Sequence, residues 1–121
     1  MLKSVLLVGL GGALGAICRF LLSTAWKSNS FPFSTLIINI VGSLVIGLVL
    51  ALHEKNGIIS DDLKLFLAMG ICGGFTTFST FSAENVQLLK AGNYWMAICY
   101  IVASVVGCIV ATFIGFKIIN N

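Results

Sequence analysis

The chain has 121 residues, 59% hydrophobic and 9% charged, with seven Lys and Arg against four Asp and Glu. That composition belongs to an integral membrane protein and excludes an ordinary soluble domain. A net charge of +3, scattered along the chain, is too small to point to nucleic acid, and basic residues beside membrane segments meet anionic lipid in any case.

Four apolar segments are predicted as transmembrane helices, at residues 4–26, 33–53, 62–89 and 94–119. Each can cross about 30 Å of hydrocarbon at about 1.5 Å per residue. The linkers are short, so residues 1–121 read as one transmembrane domain. The first segment begins like a signal peptide, but it continues through several glycines and past Arg19, which reads as a retained helix. Gly11 and Gly15 have the spacing that lets two helices approach closely. Arg19 lies inside the segment, where a cation is costly and marks function, unless it snorkels to the interface. Residues 27–30 read as a polar turn, and Pro32 suits the first turn of the next helix.

In the second segment Thr35, Asn39 and Ser43 are spaced four apart and stack on one face. Asn39 offers two N–H donors and one acceptor. In hydrocarbon it faces a partner helix or a water-filled path; as simple interhelical glue it would contribute about 1 kcal/mol. Residues 53–60 form the longest loop. His53 reads as interfacial, and Ser60 or Asp61 can cap the next helix, with Asp62 favourable at its positive end.

The third segment is too long for one straight span, since its 28 residues would reach about 42 Å. Gly70, Gly73 and Gly74 weaken a helix. Thr76, Thr77, Ser79 and Thr80 follow, interleaved with Phe75, Phe78 and Phe81. A break is predicted at Gly73-Gly74, within residues 73–77. Irregular backbone at membrane depth is buried in protein or lines a cavity, and broken helices at the midplane often mark ion sites. The alternative is a kinked packing helix whose threonines bond back to its own carbonyls. Glu84, the carboxylate well inside a segment, either nears an aqueous vestibule or pairs with a cation such as Arg19.

The fourth segment carries two adjacent stripes. Ala103, Gly107, Ala111 and Gly115 form a small-residue packing face. Tyr100, Ser104, Cys108 and Thr112 form a hydroxyl and thiol face beside it, suited to lining a path. Trp26, Tyr94 and Trp95 fit interfacial anchors. The cysteines at 18, 72, 99 and 108 are scattered, and with a single histidine they read as packing residues rather than a metal site.

Four spans put both termini on one side, with Lys3, Lys55, Lys64 and Lys117. Lys27, Lys90 and Arg19 fall toward the other. So even a balance sets little orientation. Insertion in both orientations, forming an antiparallel homodimer, would supply the inverted repeat that many transporters carry within one chain. The small faces at Gly11/Gly15 or Gly107/Ala111 are the expected interface.

Three blocks carry a family resemblance. They are Gly11-Gly-Ala-Leu-Gly-Ala-Ile-Cys-Arg19-Phe20, Ser34-Thr-Leu-Ile-Ile-Asn39-Ile-Val-Gly42-Ser43 and Gly70-Ile-Cys-Gly-Gly-Phe-Thr-Thr-Phe-Ser-Thr-Phe-Ser82. In order and spacing they make the chain resemble the Fluc (CrcB) family of fluoride-export channels along its whole length. Ser34 stands where that family often has glycine. The resemblance implies an all-α, dual-topology antiparallel homodimer in the bacterial inner (plasma) membrane, with two fluoride pores that protect the cell from fluoride. It implies Asn39 along each pore, a phenylalanine box from Phe78 and Phe81, and polar positions at Tyr100 and Ser104. It also implies backbone carbonyls of Gly73 and Thr76 on a central structural sodium ion.

The chemistry of these residue types agrees. Dehydrating fluoride is expensive, and the donors that would offset it are the Asn39 amide, the hydroxyls of Ser79, Thr80 and Ser104, and electropositive ring edges. Thr35 extends the same polar face. A rival reading, a small multidrug-type proton-coupled exporter, needs a titratable carboxylate deep in the membrane; the first segment has none and Glu84 comes late in the third. A structural subunit leaves the phenylalanine–hydroxyl block unexplained. An enzyme lacks a nucleophile–base pair in this sequence.

Overall fold

Apolar runs of membrane length become helices because every backbone polar group must be satisfied within the segment. The computed structural model describes residues 1–27, 30–55 and 57–121. Ser28 and Asn29 of the predicted turn and Asn56 of the predicted loop lie outside the described residues. The helices are α1 (Leu2–Ala25), α2 (Phe33–Glu54), α3 (residues 61–75), α4 (Phe78–Lys90) and α5 (Tyr94–Asn120). α3 and α4 are the two halves of one span, so four spans are long and apolar enough to cross a membrane. The chain is a multi-pass membrane protein.

Ser60 caps α3, its hydroxyl accepting from the Leu63 N–H at 3.1 Å, with Asp61 and Asp62 in the first turn. Residues Leu65–Cys72 then widen into a π-helix, at whose end the Gly73 N–H is shared between the carbonyls of Ala68 and Gly70. The helix stops after Phe75 and α4 resumes at Phe78. The interruption therefore falls at Thr76-Thr77, within the expected residues 73–77 and just past Gly73-Gly74, both of which are helical. The smallness of Gly74 serves contact with another helix. A Cβ at Gly74 would strike the carbonyl of Gly12 in α1.

Two parallel helix pairs are locked in this way. Along α1 and α3, a Cβ at Gly11 would come within 2.6 Å of the Phe66 carbonyl, and one at Gly15 would land on the Ile71 carbonyl. Along α2 and α5, a Cβ at Gly115 would come within 2.6 Å of the Leu44 carbonyl, and one at Gly47 would meet the Thr112 carbonyl. Thr112 adds a hydrogen bond, its hydroxyl donating to Ser43 O at 3.1 Å. Small residues let backbones touch, and dispersion does the rest where lipid gives helices no hydrophobic reason to associate. The predicted packing faces at Gly11/Gly15 and Gly107/Ala111 are thus used within the chain. They are not free for a second copy, because the parallel neighbour in the same chain already fills them.

The pairs meet through α2 and the break. Gly42 leaves room for the Thr76 methyl. A buried cluster of Leu36, Phe81, Leu88, Ala97 and Tyr100 joins α2, α4 and α5. At the end bearing both termini, Lys3 pairs with Asp62 at 2.7 Å, His53 with Asp61 at 2.6 Å, and Lys55 Nζ donates to the Ile119 carbonyl at 2.8 Å. Such exposed pairs add little stability. Leu6, Leu10 and Leu14 on α1, and Ile98, Val102 and Val105 on α5, are exposed, as a lipid-facing surface requires.

These contacts give an internal comparison. Gly15→Val is expected to cost roughly 3 kcal/mol or more, because its side chain meets backbone that cannot yield. Gly9→Ala, with nothing within 4 Å of its Cβ, should be neutral or stabilising by up to about 1 kcal/mol. Thermal unfolding in detergent reads both; equal midpoints for the two variants would contradict the close-packed account.

Candidate functional site

Two consecutive extended residues end the helical hydrogen bonding at the break. Thr76 has ψ 157°, and Thr77 has φ −151° and ψ 123°. Backbone groups stranded at membrane depth need partners, and the Asn39 side chain supplies them. Its Oδ1 accepts from the Thr77 N–H at 2.8 Å, and its Nδ2 donates to the Thr77 carbonyl at 3.0 Å. One amide thus satisfies both polar groups of one residue, leaving its second N–H available. Thr77 in turn caps α4: its Oγ1 accepts from the Thr80 N–H at 3.1 Å and donates to Thr80 Oγ1 at 3.1 Å, with Ser79 Oγ 3.4 Å away. Thr76 bonds back, its hydroxyl donating to the Cys72 carbonyl at 2.8 Å. The sequence left open whether Asn39 faces a helix or a path; it clamps the break while also lining a groove.

The clamp and the cap free two carbonyls. A continuous helix would send the Thr77 N–H to Gly73 and the Thr80 N–H to Thr76; here Asn39 and the Thr77 hydroxyl take them. The Gly73 and Thr76 carbonyls therefore lose their helical donors. Gly73 is exposed on the groove, with nothing nearer than 3.8 Å to a Cβ placed on it. Hard backbone oxygens of this kind suit a hard cation such as sodium. Among the described residues no group of three or more His, Cys, Asp or Glu gathers in a metal-binding arrangement. Next door, Arg19 Nε donates to the Gly74 carbonyl at 3.2 Å. Arg19 therefore serves the C-terminal end of α3, where a cation also suits the helix dipole.

The groove encloses about 540 Å³ between α2, the break, α4 and α5. Asn39, Gly42 and Ser43 line one side, and Gly73, Thr76 and Thr77 the break. Phe78, Phe81 and Ser104 complete it. Phe78 is 78% exposed whereas Phe81 is buried, and their rings lie 5.4 Å apart at 47°. Ser104 is buried and its hydroxyl has no partner. Phe78 and Ser79 occupy the first turn of α4, whose N–H groups have no carbonyl one turn behind them. The groove thus combines an apolar wall with amide, hydroxyl and ring-edge donors.

Glu84 lies elsewhere. Its Oε2 accepts from Thr35 Oγ1 at 3.1 Å and its Oε1 from Tyr100 Oη at 2.8 Å. It also lines a second cavity of about 310 Å³ with Ser30, Phe31, Gln87 and Asn93. Glu84 does not pair with Arg19, which donates to the Gly74 carbonyl instead. Thr35 and Tyr100 belong to this carboxylate network rather than to the wall of the groove. Sequence reasoning missed Phe31, which sits in a connection without periodicity; an aromatic immediately before Pro32 was the available signal. It also passed over Asn85, which is buried on α4 and donates to its own Phe81 carbonyl at 2.9 Å, with Oδ1 unpartnered.

Comparison with known proteins gives one consistent result. The family model described as CrcB-like protein, Camphor Resistance (CrcB), matches residues 6–116. A relative from Leptospira interrogans, named fluoride-specific ion channel FluC, is 46% identical over 98% of this chain and 96% of its own length. Relatives bearing the same name come from Methylobacillus flagellatus, at 43% identity over 96% of this chain and 94% of its own length, and Azobacteroides pseudotrichonymphae, at 39% over 96% and 95%.

The clamp predicts a specific sensitivity. Asn39→Leu strands both polar groups of Thr77 and should cost roughly 2–4 kcal/mol of stability. Asn39→Asp keeps an acceptor for the N–H and loses the donor to the carbonyl, so it too should be destabilising. Thermal unfolding in detergent measures both; an Asn39→Leu protein as stable as the wild type would remove the clamp from the account.

Proposed function

The chain belongs to the CrcB family, and from that membership we propose that it is a fluoride-selective channel through which fluoride leaves the cell passively. The observation that carries the reading is the clamped break. Beside it the groove is lined by Asn39, Thr76, Thr77, Phe78, Phe81 and Ser104, while Ser79 and Thr80 lie in the first turn of α4 outside that lining. Fluoride is small and strongly hydrated, so its entry demands donors in place of water. Ring edges carry positive quadrupole and can face an anion. Among the described residues no lysine or arginine lines the groove, which favours release, since conduction requires binding that is not too tight.

A proton-coupled exporter fits less well. It needs a carboxylate alternating between proton and substrate deep in the membrane, whereas both oxygens of Glu84 accept hydroxyl hydrogen bonds beside the outer cavity. An enzyme fits less well still, because the groove presents a binding surface without a paired nucleophile and base.

The groove is open on one side, and Phe78 stands 78% exposed at it. We read the missing wall as a second copy in the opposite orientation, giving two pores in a plasma-membrane homodimer surrounded by lipid. The even distribution of basic residues supports insertion both ways. The freed carbonyls of Gly73 and Thr76, contributed by both copies, would hold a structural sodium ion. When bound, sodium would neutralise carbonyl oxygens left without donors. This chain's own residues do the rest: Asn39 fixes the backbone that presents those oxygens, and Arg19 occupies the neighbouring Gly74 carbonyl.

One set of liposome measurements tests the reading. Wild-type protein should release fluoride quickly under a potassium clamp, without a pH gradient and with little chloride flux. Phe78→Ile and Phe81→Ile should each slow fluoride by at least about tenfold, since isoleucine keeps bulk without a ring edge. Variants driven to one orientation by lysines added beside Lys27 or beside Lys117 should be inactive alone and active when co-expressed. Replacing sodium by a large organic cation should loosen the dimer. Flux that needs a proton gradient would overturn the channel, full activity of a single-orientation variant would overturn the antiparallel pair, and a dimer indifferent to sodium would overturn the ion.

A further inference from the structure

The groove beside the break and the cavity holding Glu84 are separate spaces, for none of the residues lining one lines the other. Tyr100 touches a wall of each. It is fully enclosed. Its ring meets Phe81, a wall of the groove, at 5.0 Å and 65°. It also meets Phe31, a wall of the smaller cavity, at 5.4 Å and 71°. Both are edge-to-face arrangements. Its hydroxyl is tied to Glu84, whose second oxygen is held by Thr35.

Phe81, Glu84 and Thr35 all sit on helices, so their positions are fixed by the fold. Phe31 does not. It rides on the turn before α2, where its carbonyl accepts from the Phe33 N–H at 2.8 Å and its ring leans on Phe33 at 4.7 Å. Such a connection opens at lower cost than a packed helix. Of the contacts that enclose Tyr100, the one with Phe31 is therefore the contact that can be released without moving a helix.

We propose that Phe31 is a positioning residue that holds Tyr100 across the passage between the two cavities and thereby helps decide which anions pass. The selectivity half of this inference rests on the channel reading above; the barrier itself does not. With Phe31 in place, Tyr100 has no space to tilt. Without the Phe31 ring, a void opens beside Tyr100, and partial collapse into such a void is the usual response of a packed site. A larger anion than fluoride then finds a wider passage.

Two readouts separate the barrier from the transport. Tetranitromethane nitrates accessible tyrosines, and mass spectrometry locates the product. Tyr94, 63% exposed, is the internal reference. In the wild type Tyr94 should react and Tyr100 should be spared; in Phe31→Ala, Tyr100 should react at least about tenfold faster. Phe31→Leu, which keeps apolar bulk at the turn, should shift Tyr100 in the same direction by less, and it decides the matter if the alanine variant does not fold. In liposomes, Phe31→Ala should raise chloride flux by about tenfold or more while fluoride flux persists, and Phe31→Tyr, which keeps the ring, should exclude chloride as the wild type does. Tyr100 protected to the wild-type degree in the folded variants would overturn the proposal whatever the fluxes. Tyr100 uncovered with chloride still rejected would overturn the role in selectivity. A wild type that carries no fluoride would overturn the channel reading, and the nitration result would still decide the barrier.

Discussion

Everything distinctive in this protein depends on the two hydrogen bonds between the Asn39 side chain and the backbone of Thr77. A transmembrane helix normally satisfies its own backbone, and hydrocarbon offers no substitute when it breaks. Asn39 replaces both lost bonds with one planar amide, at 2.8 and 3.0 Å. That replacement has a consequence one turn away. Because the Thr77 N–H is engaged by Asn39 and the Thr80 N–H by the Thr77 hydroxyl, the Gly73 and Thr76 carbonyls are released. The Asn39 amide and the Thr77 hydroxyl together produce a broken helix, two hard oxygen donors and a fresh helix N-terminus in one place.

The clamp works only if α2 and the break are held at fixed separation, and Gly42 gives that by leaving room for the Thr76 methyl. Gly11, Gly15 and Gly74 bring α1 against α3, and Gly47 and Gly115 bring α2 against α5, at distances where a methyl group would strike backbone. Lipid competes poorly for such surfaces because close-packed backbones gain dispersion contacts that flexible tails cannot match. The consequence for assembly is direct. The small-residue faces are consumed inside the chain, so they are not open to a second copy, whereas the surface around Phe78 is.

Much of this was legible in the sequence, and what was not has physical reasons. Hydropathy and length give the four spans to within a few residues, because the bilayer imposes a minimum run. The excess length of the third span, with its glycines and hydroxyls, announces an interruption. It falls at Thr76-Thr77, just past the glycines, because glycine has two uses. Backbone freedom points to Gly73-Gly74, whereas the fold needs the missing side chain of Gly74 against α1. The same ambiguity sent Gly11, Gly15 and Gly107 to the wrong partner. The polar stripe of α2 was recognised, yet only the coordinates divide it between Thr35, which serves Glu84, and Asn39, which serves the break. Arg19 was singled out for its depth in the membrane. Its acceptor, a carbonyl 55 positions away, has no signature in sequence. Phe31 offered only its place before Pro32, and a ring in a turn acquires meaning only when its neighbour Tyr100 is seen to be enclosed.

The break is a specific redistribution of hydrogen bonds, and residue-resolved amide exchange of the protein in lipid nanodiscs reads it bond by bond. Slow exchange is expected at Thr77 and Thr80, whose N–H groups are held by Asn39 and the Thr77 hydroxyl, and fast exchange at Phe78 and Ser79 between them. Uniform protection from Thr77 through Thr80, as in an unbroken helix, or rapid exchange at Thr77, would contradict it.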